Sequence, residues 1–203
     1  MHTNRIVQSL VERMWFLGRF FLRPNLVGAV VPSSPYLVEE LIKNMGVEDA
    51  HALAELGSGT GVVTKAILER TSPQASFLVI EKDFHLVQLL HKRYPDLDLI
   101  HGDAADLGTY IRERKLVHLD AVISGLPFSN FNEEFQENIL DVVVECLKPG
   151  ACFSTFAYVY GKDRPSGRRF RNMLNLRFDR VEVSDIIWRN TPPAVVYRVW
   201  KKA

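Results

Sequence analysis

The sequence predicts an α/β fold built on a mostly parallel sheet whose strand ends line one crevice. Three observations carry this. Short apolar runs alternate with stretches of helical apolar spacing along most of the 203 residues. The run 51–56 ends in a glycine turn, Gly57-Ser58-Gly59-Thr60-Gly61, and Val62–Leu68 then takes helical spacing. An acidic residue stands at or just past the end of each of the first three apolar runs: Glu55, Glu81 and Asp103. Parallel strands bring their carboxyl ends to one edge, so these three acids and the glycine turn converge there.

The composition, 47% hydrophobic and 24% charged, suits one domain with a full core. A net charge of +1 gives no bulk cationic field, which counts against a partner held through many phosphate contacts. Cys146 and Cys152 form no C-x-x-C pair and read as two buried thiols in a reduced, cytoplasmic setting. No secretory signal is evident, because no uninterrupted apolar core with a small-residue cleavage site stands near the start.

Residues 5–23 carry Ile6, Val7, Leu10, Val11, Met14, Trp15, Leu17, Phe21 and Leu22 at helical spacing. Arg13 and Arg19 interrupt the apolar surface, so the segment is not expected to cross a bilayer. Trp and Phe beside Arg suit a helix lying in the headgroup layer. Four Arg against one Glu would supply about 3 kcal/mol on an anionic leaflet, at roughly 1 kcal/mol per net charge. The other reading is a helix packed on the core or in a dimer. The expected organisation is therefore a membrane-docking helix over 1–24 and a catalytic domain over 25–203.

Pro24 stops that helix, and Gly28 to Pro35 has turn chemistry. Ser34 is placed to cap a helix with Pro35 at its first position, and 36–45 reads as amphipathic. The serines either cap only, or their loop (Val31, Pro32, Ser33) folds over a ligand. After the glycine turn come a strand over 76–80 ending at Glu81, a helix over 84–94 and a strand over 98–100. Glu81 lies about 20 residues past the turn, the separation of an acid that grips ribose hydroxyls in a strand-helix-strand unit. A carboxylate accepts from both hydroxyls at once.

Leu119–Ser124 is a fourth strand, 133–147 a helix, and 151–158, 178–187 and Ala194–Trp200 three more strands. The link between the last two is too short for anything but an antiparallel pair. The stretch from Gly161 to Arg171 reads as a solvated basic loop and helix start, or as a phosphate-recognition patch using Arg164, Arg168 and Arg169, with the later Arg189.

Two ligand classes use such a glycine turn, and the residues downstream decide between them and a tight turn without ligand. A dinucleotide site wants G-x-G-x-x-G, whose third glycine falls here at Val62. What stands instead is Glu55-x-Gly57-x-Gly59-x-Gly61, continued by Val62-Val63-Thr64. That pattern resembles motif I of the class I S-adenosylmethionine (SAM) methyltransferases. With Val31-Pro32-Ser33-Ser34, Gly102-Asp103-Ala104, Ser124-Gly125-Leu126-Pro127 and Trp188-Arg189-Asn190 before Pro192-Pro193-Ala194, nearly the whole chain resembles the bacterial phospholipid N-methyltransferases of the phosphatidylethanolamine type, relatives of the rRNA adenine dimethylases.

The resemblance implies a Rossmann-like sheet in order 3-2-1-4-5-7-6 with strand seven antiparallel and helices on both faces. It implies SAM as cofactor, held by Val31, Pro32, Ser33, Glu55, Gly57, Ser58, Gly59, Thr60, Gly61, Glu81, Lys82, Asp103, Ala104 and Ser124. Asp103 matches the position that accepts from the adenine amino group. No metal is expected. Where enzymes that methylate base nitrogens carry Asn or Asp before Pro-Pro-Tyr or Leu-Pro-Tyr, this chain has Ser124, and Phe128 replaces the tyrosine. A flat nucleobase wants a bidentate acceptor, and serine offers less.

The expected reaction is in-line displacement of a sulfonium methyl by an amine, with positioning as the enzyme's main contribution. An amine of lysine-like pKa is only about 0.1% neutral at pH 7, a deficit of roughly 4 kcal/mol, so the site must desolvate it or offer a base. Neither His51 nor His85 is well placed for that. The expected acceptor pocket is Tyr36, Phe128, Tyr158 and Tyr160, with Ser124 or a nearby carbonyl directing the lone pair and the aromatic faces tolerating the methylated cation. The expected setting is the inner face of the cytoplasmic membrane, on an anionic phospholipid surface. Two other readings are rRNA adenine N6 methylation and a SAM-binding, membrane-docked interaction protein without turnover.

Overall fold

The computed structural model describes residues 33–128, 131–162 and 165–203. The expected N-terminal helix, with Val31, Pro32 and Arg164, lies outside them. The chain order is α1 (Pro35–Ile42), β1 (Ala52–Leu56), α2 (Val62–Leu68), β2 (Ser76–Glu81), α3 (Phe84–Arg93), β3 (Asp98–His101), α4 (Leu107–Glu113), β4 (Leu119–Ser124), α5 (Glu133–Cys146), β5 (Leu147–Tyr158), α6 (Val159–Lys162), α7 (Pro165–Arg177), β6 (Arg180–Val183) and β7 (Ala194–Trp200).

The strands form one seven-stranded sheet in order β3-β2-β1-β4-β5-β7-β6, the order the resemblance implied. β1 to β5 pair in parallel, and β7 runs antiparallel to both β5 and β6. Sheets of this kind are covered on both faces, and their central strands read as continuous apolar runs rather than alternating ones. β1 is buried throughout for this reason. Its Ala52, Ala54 and Leu56 face one cluster with Leu107, Ile111, Ile139, Val143, Phe153, Phe170 and Leu174 from α4, α5, β5 and α7. Leu53 faces the other, with Leu37, Leu41, Val63 and Ile67 from α1 and α2. Each such large side chain removed from water contributes about 1.5–3 kcal/mol.

Ser34 caps α1 by accepting from the Leu37 N–H at 3.2 Å, with Pro35 in the first turn. Asp83 and Asn132 cap α3 and α5 in the same way. The loop before α1 is fastened to the far end of the chain: buried Asn190 accepts from the Ser34 N–H at 3.0 Å and donates to the Pro192 carbonyl at 2.6 Å. Both cysteines are buried, and burial pushes Cys146 up to about 11 and Cys152 up to about 12, so both are thiols.

Four elements differ from the sequence reading, and β5 also begins earlier, at Leu147 rather than 151. α4 has no counterpart in it. The basic stretch after β5 is α6 and the long helix α7, which buries Phe170, Met173 and Leu174. β6 stops at Val183, and only Ile187 beyond it regains a bridge, to Ala194. Among the described residues, no helix is long and apolar enough to cross a membrane.

Candidate functional site at the carboxyl edge

The carboxyl ends of β1 to β4 are stitched by backbone bonds. Gly57 N–H donates to the Ile80 carbonyl (2.8 Å), Gly102 N–H to Glu81 (3.0 Å) and Gly125 N–H to Leu56 (2.9 Å). The turn after β1 is thereby fixed to β2, and the turn after β4 to β1. Packing repeats the message: a Cβ on Gly125 would stand 2.4 Å from the Gly57 carbonyl oxygen. Gly59 is the opposite case. Its φ of +57° is left-handed, and a Cβ there would meet nothing within 4 Å. The backbone at Gly59 therefore bends toward open space, where a ligand can lie against it.

Glu81, at the end of β2, faces this turn. Its Oε2 accepts from the Gly59 N–H at 2.8 Å and its Oε1 from the Asp83 N–H at 2.8 Å. Burial raises its pKa and those N–H groups oppose the rise. Each carboxylate oxygen keeps a further lone pair for a hydroxyl. Glu55 sits deeper, buried under the turn, where the Thr64 hydroxyl donates to its Oε2 at 2.6 Å. Burial pushes Glu55 up to about 8 against the pull of Thr64, and nearby Glu81 adds to the rise. Glu55 is thus a support beneath the turn rather than an acceptor at its surface.

The hydroxyl of Ser58, in the middle of the turn, is buried with no hydrogen-bond partner. A buried polar atom without a partner calls for one. Thr60 accepts at its carbonyl from Arg93 (2.9 Å), and Gly61 begins α2.

Asp103, past β3, accepts from Lys82 Nζ at 2.6 Å and from the Ala105 N–H at 3.1 Å. Burial acts upward on its pKa, but these two partners outweigh it and hold the carboxyl below its usual range. Ala104 is buried at the start of a single 3-10 turn that Asp103 caps. Exposed Phe84 packs on His101 with ring centroids 5.5 Å apart, beside this acid.

The turn after β4 differs from the expected pocket. Ser124 is fully buried, its Oγ accepting from the Leu126 N–H at 3.2 Å. Phe128 points into the core, stacked on Phe170 at 4.5 Å. Its carbonyl is held by Gln136 Nε2 at 2.6 Å, so buried Gln136 of α5 pins the turn. Tyr158 ends β5 mostly buried and lies parallel to exposed Tyr160 at 5.5 Å, which leaves no room for a cation between those two rings. Burial, then Tyr160, pushes Tyr158 up to about 12, so it is a phenol and not a base at neutral pH. Tyr36 stands half-exposed at the start of α1, its hydroxyl accepting from Arg189 at 2.7 Å with the guanidinium 4.8 Å above the ring.

The structure therefore gathers Gly57 to Gly61, Glu81, Lys82, Asp103, Ala104 and Ser124 along one edge, with Glu55 beneath. Ser33, Tyr36, Tyr158, Tyr160 and Arg189 lie farther along it. Of the expected basic patch, Arg169 of α7 pairs with Glu133 of α5 at 3.3 Å and Arg168 also has a partner, while Arg164 lies outside the described residues. Three residues that sequence reasoning left without a role hold the site: Thr64, Gln136 and Asn190. Thr64 and Asn190 stand inside the motifs quoted above, and Gln136 carries no local signal. Among the described residues, no group of His, Cys, Asp and Glu is arranged to hold a metal ion.

The family described as "Methyltransferase domain" matches residues 53–150. The chain is 32% identical over 185 residues to an ornithine lipid N-methyltransferase of Singulisphaera acidiphila, covering 90% of this chain and 92% of that one. It is 33% identical over 64 residues to ribosomal RNA small subunit methyltransferase A of Chlorobaculum parvum, 32% of this chain and 22% of that one. Its fold is similar to the O-methyltransferase TomG of Streptomyces achromogenes, solved with SAM: TM-score 0.69, 18% identity, 96% of this chain and 90% of that one.

Proposed function

The chain belongs to the class I SAM-dependent methyltransferases, and from that premise we propose that it methylates the amine of a membrane aminolipid, acting at the bilayer surface. Phosphatidylethanolamine, with its methylated derivatives, is the acceptor the sequence motifs favour. The headgroup amine of an ornithine lipid is the acceptor the relative's name favours. Both offer a nitrogen nucleophile on a lipid anchored in the bilayer. The observation that carries the proposal is the likeness to a lipid N-methyltransferase across nine-tenths of both chains. That span includes the turn after β4, where acceptors are sorted.

SAM is the cofactor, and the residues fit it. The open space over Gly59 would take the nucleoside, with Glu81 offering lone pairs to the ribose hydroxyls and Asp103 one to the adenine amine. When bound, SAM supplies an electrophilic methyl on a sulfonium. The chain's own part is to hold, orient and dry. The carbonyls of the turn after Ser124 would direct an amine N–H, and thus its lone pair. Leu126, Tyr158 and Tyr36 replace water around an ammonium, which disfavours its charged form. Arg189, beside Tyr36, offers a guanidinium for a lipid phosphate or carboxylate.

The expected helix over 5–23 would bring the domain to its substrate from the cytoplasmic side, as a peripheral protein. Adenine methylation in RNA is less favoured. The likeness to ribosomal RNA small subunit methyltransferases spans between a third and two thirds of the chain, against nine-tenths for the lipid enzyme, and Ser124 stands where a bidentate acceptor is wanted.

Methyl-labelled SAM supplied separately with phosphatidylethanolamine vesicles, ornithine-lipid vesicles and rRNA tests this. Label is expected in one or both lipids. Label in RNA alone, or in neither, overturns it.

A further inference from the structure

Among the described residues, four Phe, Tyr or Trp side chains are exposed: Tyr36 (50%), Phe84 (53%), Tyr160 (56%) and Trp188 (71%). All four stand at one end of the molecule. Phe84 opens α3 just past β2, and Tyr160 lies two residues past β5. Tyr36 opens α1, and Trp188 lies in the link that precedes β7. That end is the carboxyl edge of the sheet, where the crevice opens. Exposed aliphatic residues fall elsewhere as well: Leu68 closes α2 and Val117 precedes β4, both at the opposite edge.

An exposed tryptophan gains little from water and is not needed for this core. Tyr and Trp, with an apolar body and a polar tip, suit the boundary between headgroups and acyl chains. The part of this rim at Tyr36 and Trp188 is also held in shape. Asn190 binds the Ser34 N–H, Arg189 binds the Tyr36 hydroxyl, and the Val159 N–H donates to the Pro193 carbonyl at 2.9 Å. A tethered rim loses little freedom on docking. Arg189 puts a cation within it, complementary to an anionic leaflet. Residues 1–32 join the described fold at Ser33, on this same rim.

We propose that the Tyr36–Tyr160–Trp188 rim is a second membrane-contacting surface, which seats the mouth of the crevice against an anionic bilayer. This rests on the aminolipid reading above. It adds an orientation: the mouth faces the headgroups, so an acceptor enters the crevice without leaving its leaflet.

Trp188 reports on the rim directly. In the full chain carrying Trp15→Phe and Trp200→Phe, its fluorescence is read with vesicles of phosphatidylcholine and phosphatidylglycerol. The expected result is a blue shift on vesicle addition and quenching by lipids brominated in their acyl chains. Trp188→Ser should lower methyl transfer to vesicle lipid by roughly five- to tenfold, the scale of one anchor among several, while SAM affinity is unchanged. Should Trp200→Phe fail to fold, the difference between the spectra of the native chain and of Trp188→Phe gives the same reading. Emission that ignores vesicles while the protein co-sediments with them overturns the rim and leaves docking to residues 1–32. Emission already blue and insensitive to vesicles overturns it too, and points to cover by residues 1–32 or a second copy. Lipid labelling that persists in either case keeps the aminolipid reading, whereas its absence with a responsive Trp188 removes only that reading.

Discussion

Thr64 and Glu55 form a closed pair beneath the glycine turn, hydroxyl to carboxyl at 2.6 Å, both buried. Burial pushes Glu55 from 4.5 up to about 8. A carboxyl whose pKa is higher folded than unfolded binds an extra proton in the folded state. Its contribution to stability is fully present below pH 4.5 and falls as pH rises toward about 8. Glu55→Gln should flatten the decline in unfolding free energy across that window, measured by denaturant titration. A residual slope of the same sign is expected from Glu81, which is also raised. An unchanged profile would show that Glu55 ionises normally.

Gly125→Ala should separate the two turns that meet over β1. Its Cβ would stand 2.4 Å from the Gly57 carbonyl, a backbone atom with no rotamer to escape into. Overpacking of this sort costs about 1–3 kcal/mol. Calorimetry should show a loss of SAM affinity larger than the loss of thermal stability explains. Wild-type affinity would mean the turns move apart freely.

Asp103→Ala should weaken SAM binding by about 1.5–3 kcal/mol, the scale of one lost charged hydrogen bond. Lys82→Met is the companion variant, since Lys82 Nζ sits 2.6 Å from Asp103 Oδ2. It returns the Asp103 carboxyl toward its ordinary range, so SAM affinity should begin to fall at higher pH than in the native chain as the medium is acidified. Affinity indifferent to Asp103→Ala would remove that acid from the site.

Asn190→Ala strips the Ser34 N–H of its acceptor and the Pro192 carbonyl of its donor. The expected cost is about 1–3 kcal/mol. KM for the proposed lipid acceptor should rise more than kcat falls, because the loop at the mouth loosens while the glycine turn is untouched. Steady-state kinetics at saturating SAM reads the split.

Much of this fold could be read from the chain because its strands are continuous apolar runs closed by turn residues. β1, β2, β4 and β7 declared themselves in that way. Ser34, Pro35 and the glycine turn were legible because each has a local backbone reason. α4 was not, since only Leu107 and Ile111 are buried along it among Gly108, Thr109 and charged neighbours. α7 reads from sequence as a loop with a helix start because its Arg residues draw attention from Phe170, Met173 and Leu174. Its arginines in fact clamp α5, through Arg169–Glu133 and Arg177–Asp141. The acids along the carboxyl edge were legible because each stands at or just past a strand end. The acceptor side was not: the chain does not announce whether an aromatic such as Phe128 faces a ligand or a core. Gln136 belongs to no recognisable motif, and its role is visible only once α5 packs over the turn at Phe128.

The three backbone bonds from Gly57, Gly102 and Gly125 tie the turns after β1, β3 and β4 to a neighbouring strand. Such loops cannot open by local fraying; they come apart only when the strands themselves do. Amide hydrogen exchange at these glycines should therefore be as slow as in the sheet interior, in contrast to the usual mobility of loops at an enzyme's mouth. On the proposed function, those three turns of the methyl donor's seat stand assembled before either ligand arrives.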